Sequence, residues 1–147
     1  LGELRTEGTH LASSKKLITD APVDNHGKGE AFSPTDTVAT GLASCMLTIL
    51  GIKSSGLELN LKDTYANVIK IMGSSPRRII EIKIDVHFPK VVEPKIKIIL
   101  ERAALTCPVA QSLHPDLKQT DTFHWPEQRL YILEELGCKL KPQPVLT

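Results

Sequence analysis

The stretch Ser33–Ile52, SPTDTVATGLASCMLTILGI, carries no charge after Asp36 and is almost wholly small or apolar. Ser33 can accept from the free N–H groups of a first helical turn, and Pro34 suits the first helical position. Asp36 follows Ser33 by three residues, as in a capping box. Apolar residues then recur at helical spacing: Val38, Leu42, Cys45, Ile49 and Ile52. The pattern predicts a helix covered by protein on most sides, with Cys45 central on its inner stripe. On this helix alone, Cys45 reads as a small core residue, since free cysteine is among the most buried types.

A chain of 147 residues is expected to form one domain with a core of its own. It is 41% hydrophobic and 24% charged, which is ordinary for a globular protein. A net charge of +1 gives no electrostatic case for nucleic acid or an anionic membrane. No apolar run is read as reaching the length of a membrane span. The three cysteines form no CxxC pair, which argues against a disulfide scaffold or a structural zinc site. A reducing, cytoplasmic setting is the expectation. His10, His26, His87, His114 and His124 show no metal-ligand spacing, so no metal is expected.

Before the helix, Leu1–Ala12 and Lys15–Thr19 read as a hairpin around Ser13-Ser14. Arg5 in its first strand reads, by itself, as a solvated surface arginine. Asp20–Phe32 is a long polar loop feeding the helix. Gly27 and Gly29 suggest a phosphate loop, but the GK[ST] ending is missing. After the helix, Ser54–Gly56 is expected to turn, and Leu57, Leu59 and Leu61 alternate as in a half-buried strand. Tyr65–Met72 reads as a further strand. The run Ile80, Ile82, Ile84, Val86, Phe88, alternating with Glu81, Lys83, Asp85 and His87, predicts an antiparallel strand with one wet face, where His87 is solvated.

A second helix is expected over Lys95–Leu105, with Ile96, Ile99, Leu100 and Ala103 inward. Cys107 precedes Pro108 and should end it, and Pro108–Leu113 should begin another. Cys107 then sits at a fresh helix N-terminus, where the dipole favours a thiolate, or else is a buried thiol at a helix junction. Thr122–Trp125 reads as a last strand, Pro126–Gly137 as a short amphipathic helix, and Lys139–Thr147 as a tail. Cys138 reads as a bystander. No internal repeat or linker is visible.

The stretches GKGEAFSPTDTVATGLASCMLTILGI and ERAALTCPVAQSLHPD, with LRTEGTH upstream, together resemble the OsmC/Ohr family, the osmotically induced and organic-hydroperoxide-resistance proteins. The resemblance runs over residues 1–125, and 126–147 would be an extension without a transferred role. It implies an α+β fold with two central helices packed on curved antiparallel sheets, in an intertwined homodimer with active sites at the interface. It implies a thiol peroxidase of organic hydroperoxides that needs no cofactor beyond an external dithiol reductant, in some members a lipoylated protein. Cys45 would be the peroxidatic cysteine, Cys107 the resolving one, and Arg5 the activating arginine. The family's arginine-orienting Glu falls at Thr35 here, which leaves Glu30 or Asp36 to stand in.

The chemistry fits those residue types. The thiolate is the nucleophile, and a permanently charged arginine favours it. A sulfenic acid needs a second thiol before it is oxidised further. Leu42, Met46 and Ile49 would give an apolar substrate contact. The alternative is a non-enzymatic protein that holds a hydrophobic small molecule in the dimer cleft.

Overall fold

The computed structural model describes residues 2–127. Two strands, β1 (Arg5–His10) and β2 (Lys15–Asp20), form an antiparallel hairpin. A short 3₁₀ turn, Val23–Asn25, lies in the loop that follows. The long helix α1 covers Pro34–Gly56. Next come β3 (Tyr65–Gly73), β4 (Arg78–His87), α2 (Pro94–Leu105), α3 (Pro108–Ser112) and β5 (Lys118–His124). The helix expected over Pro126–Gly137, apart from its first two residues, lies outside the described residues, as do the tail and Cys138.

α1 begins where its capping chemistry dictates. Ser33 Oγ accepts from the Asp36 N–H at 3.0 Å, and Asp36 Oδ2 accepts from the Ser33 N–H at 2.9 Å. The helix runs four residues past Ile52, so the expected turn at Ser54–Gly56 is its last turn instead. At 23 residues it is long and apolar enough, by length and composition, to cross a membrane, contrary to the sequence expectation. Here it is the central helix, packed on α2, α3 and β3.

Its core face is Ala39, Leu42, Ala43, Met46 and Leu50. The expected inner stripe was therefore turned by part of a helical step: Val38 and Ile52 are exposed and Cys45 is half-buried. The cause is physical. A helix apolar on all sides has no preferred face until its neighbours choose one.

Those neighbours are α2, through Leu100 and Ala104, and the sheet β3-β4-β5, through Ile79, Ile82, Ile84 and Val86. β4 pairs antiparallel with β3 but parallel with β5. The sheet is mixed because β5 is reached by the crossover through α2 and α3. A register shift at Ile71/Met72 leaves Ile80 without a cross-strand partner. Ile79 takes the inward place and Ile80 faces out, opposite to the simple alternation expected. Leu57–Leu61 alternate in burial but pair with no strand among the described residues, and form a turn region rather than a strand. On the wet face His87 is half-buried, its ring stacked between Tyr65 (4.7 Å) and His124 (4.4 Å).

Candidate active site

α1 and α3 meet, and each brings a thiol to the contact. Cys45 comes from the middle of α1 and is half-buried. Cys107 is fully buried, at 0% exposure, in the break between α2 and α3. Pro108 forces that break, since the residue before a proline is pushed out of the helical region; Cys107 has φ −63° and ψ 153°. Its Sγ caps α3, accepting from the Ala110 N–H at 3.4 Å.

Burial pushes the Cys107 thiol above its ordinary value, and the adjacent Cys45 thiol pushes it the same way. The N–H groups of Ala110 and Val109 pull it down, but less strongly. The expected helix-terminus stabilisation of a thiolate is thus present and outweighed. The pair is asymmetric: one thiol retains contact with solvent, and the other is held neutral in the core beside it. Both are free cysteines.

Arg5 lies at the base of the hairpin, opposite Asp20 in the β1–β2 register. Its Nε and Nη2 donate to the two Asp20 oxygens at 2.7 Å each, and Nη2 also donates to Glu30 at 3.2 Å. None of its hydrogen bonds goes to Cys45. Two of the three guanidinium nitrogens, Nε and Nη2, are thus bonded to carboxylates of its own chain. Of the two stand-ins for the family Glu, Glu30 contacts Arg5 and Asp36 does not. Lys70, reaching from β3, donates to Asp36 at 2.5 Å and to Thr35 at 3.0 Å. Burial alone would raise the Asp36 carboxyl, but the bonds from Lys70 and Ser33 hold it below its usual range.

Two expected substrate contacts are placed elsewhere. Leu42 (0%) and Met46 (1%) are buried in the core, on the side of α1 that α2 and the sheet cover, and only Ile49 remains partly open. The missed residues are Asp20 and Lys70. Both are polar residues that only the folded pairing of distant segments reveals, and no local motif marks them. Among the described residues no group of three or more His, Cys, Asp or Glu is arranged to hold a metal ion.

The family model for OsmC-like proteins matches residues 27–120, which include the whole of α1 and both cysteines. The chain belongs to the OsmC family. No curated protein sequence matches this OsmC-like chain. Among solved structures, a protein of Psychrobacter arcticus 273-4 named for osmotic stress induction and a detoxification response is 53% identical, with 84% of this chain and 90% of that chain covered and a TM-score of 0.81. An organic hydroperoxide resistance protein OsmC of Legionella pneumophila is 14% identical over 82% of this chain and 94% of that one, with a TM-score of 0.66. One from Elizabethkingia anophelis is also 14% identical, over 83% and 94%, with a TM-score of 0.67. At that identity the last two show the OsmC-like α+β fold.

Proposed function

We propose that this OsmC-like protein is a thiol peroxidase of organic hydroperoxides, with Cys45 as nucleophile and Cys107 as resolving thiol. The observation that carries the reading is the pairing of a half-exposed thiol with a buried one across α1 and α3. The Cys45 thiolate attacks the terminal oxygen of ROOH. An S–O bond forms, the O–O bond breaks, and the alkoxide leaves as ROH after taking a proton. Cys107 then attacks the sulfenic sulfur, an S–S bond forms, and the hydroxyl leaves as water with the Cys107 proton. Two thiols are oxidised and one hydroperoxide is reduced. An external dithiol, free or carried by a lipoylated protein, returns the disulfide to thiols in the cytoplasm.

A homodimer belongs to the same proposal. Val38 and Ile52 leave an apolar stripe on the open side of α1, and the outer edge of β3 has no strand beside it among the described residues. Activation by Arg5 is not part of the proposal, because its Nε and Nη2 donors are engaged by Asp20 and Glu30 and no bond joins it to Cys45. That same observation favours the second reading, a protein that holds a hydrophobic molecule without turnover. Alcohol product separates the two. Wild type should convert cumene hydroperoxide to the alcohol with a dithiol present, and Cys45→Ser should not. Equal turnover by Cys45→Ser would end the peroxidase reading.

A further inference from the structure

α3 is a single short turn, and another part of the chain completes its hydrogen bonding. In a longer helix the Ala110 carbonyl would accept from the His114 N–H, but α3 ends at Ser112 and Leu113 is extended, with ψ 154°. Gln119 of β5 supplies the missing donor. Its Nε2 donates to the Ala110 oxygen at 3.1 Å. The N–H of the same Ala110 points the opposite way along the helix axis and donates to Cys107 Sγ at 3.4 Å. One residue thus joins Gln119 to the buried thiol.

β5 gives that amide a firm base. Gln119 stands opposite Ile82 in the parallel register with β4, and Ile82 is fully buried, so the amide is on the inward row. Its neighbour Thr120 donates to Glu81 at 2.7 Å. α3 has no fully buried residue of its own. A helix of one turn has little stability by itself, so its orientation is set by the groups that hold it. That orientation matters at Cys107, because the Ala110 N–H favours the thiolate against burial.

Resting on the peroxidase reading, we infer that Gln119 is a positioning residue for the second chemical step: it holds α3 so that the Ala110 N–H stays aimed at Cys107 Sγ. The first step, at Cys45, does not use this contact. When Cys107 attacks the sulfenic sulfur, its proton goes to the departing hydroxyl, and the N–H steadies the charge that develops on Sγ. The titratable groups nearby are unaltered by removing the amide. Cys45 of α1 lies against Cys107. Asp121 of β5 stands two places along the row from Gln119. Glu101 of α2 accepts from Trp125 at 2.8 Å.

Gln119→Met keeps the length of the side chain and removes the donor, so the fold should hold. Quenched-flow mass spectrometry of the full chain with tert-butyl hydroperoxide separates the Cys45 sulfenic acid from the Cys45–Cys107 disulfide. In Gln119→Met the sulfenic acid should form at the wild-type rate. Disulfide formation should slow about ten-fold, the scale of a lost hydrogen bond to a charged group. Its rate should also reach half-maximum at a higher pH than in wild type. An unchanged rate and pH profile overturns the role of Gln119 and leaves the peroxidase reading standing. Slowing by one factor at every pH also overturns it, since a merely structural loss would give that result. A second measurement does not depend on turnover. Carbon-13 NMR of the Cys107 Cβ in Cys45→Ser follows the thiol directly, and adding Gln119→Met should move its titration to higher pH. An unmoved titration overturns the link from Gln119 to Cys107. A moved titration with no disulfide in the wild type overturns the peroxidase reading and leaves that link.

Discussion

Arg5 grips Asp20 across the base of the hairpin with two parallel hydrogen bonds of 2.7 Å, and Asp20 is only 3% exposed. Asp20 Oδ2 also accepts from the Glu30 N–H at 3.0 Å, so the same carboxylate ties the hairpin to the loop that enters α1. Such a bidentate pair fixes orientation as well as charge. Its bond to Arg5, set against the cost of burial, holds the Asp20 carboxyl below its ordinary value.

Asp20→Asn should therefore lower thermal stability. A depressed folded-state pKa stabilises the fold above the ordinary carboxylate value of about 3.9, and that stability is lost as pH falls through the lower folded value. The difference in melting temperature between wild type and Asp20→Asn should be full at neutral pH and close progressively in acid. A gap that does not vary with pH would mean that Asp20 acts through shape alone.

Asp121 is expected to behave in the opposite sense. It stands on the core-facing row of β5, opposite Ile84, and its Oδ1 is buried with no partner among the described residues. Burial raises its carboxyl. A raised carboxyl is tolerated while protonated and costs stability once pH rises above the ordinary value. Asp121→Asn removes the charge that burial disfavours while keeping the side chain's shape, and should stabilise the protein at neutral pH. The gain should shrink toward acid pH in urea titrations run at two pH values. A loss of stability at neutral pH would show that Asp121 has a partner in the assembled protein.

Leu42 separates the two roles considered for the apolar residues of α1. It is fully buried against α2 and the sheet. Leu42→Ala should cost about 2–5 kcal/mol of folding stability, the range for a buried leucine that leaves a cavity. Its peroxide rate, measured well below the melting point, should change little. A large rate loss in a stably folded variant would return Leu42 to the substrate surface.

Cys107→Ser should leave the first chemical step intact and remove the second. With tert-butyl hydroperoxide, Cys45 should then accumulate as a sulfenic acid that a dimedone probe captures, because no other thiol among the described residues lies beside it to condense. An intramolecular disulfide still forming in Cys107→Ser would assign the resolving role to Cys138.

Much of this was legible in the sequence because it is local. The cap at Ser33, the break at Cys107-Pro108 and the strand around Ile82–Val86 are each dictated by residues a few positions apart. The cysteines became legible as a pair through their family contexts. What failed were choices made by tertiary neighbours. The side of α1 that faces the core, and hence the places of Leu42 and Met46, depended on α2. The register shift that turns Ile80 outward depended on β3. The partner of Arg5 was decided by strand pairing with Asp20, and that of Asp36 by Lys70, which lies 34 residues further along the chain.

The most direct test of the central claim is peptide mass spectrometry of the reduced protein, before and after one equivalent of tert-butyl hydroperoxide. A disulfide linking the Cys45 and Cys107 peptides within seconds, with Cys138 still free, is the predicted result. Cys45 and Cys107 both still reduced under those conditions would contradict the thiol peroxidase account.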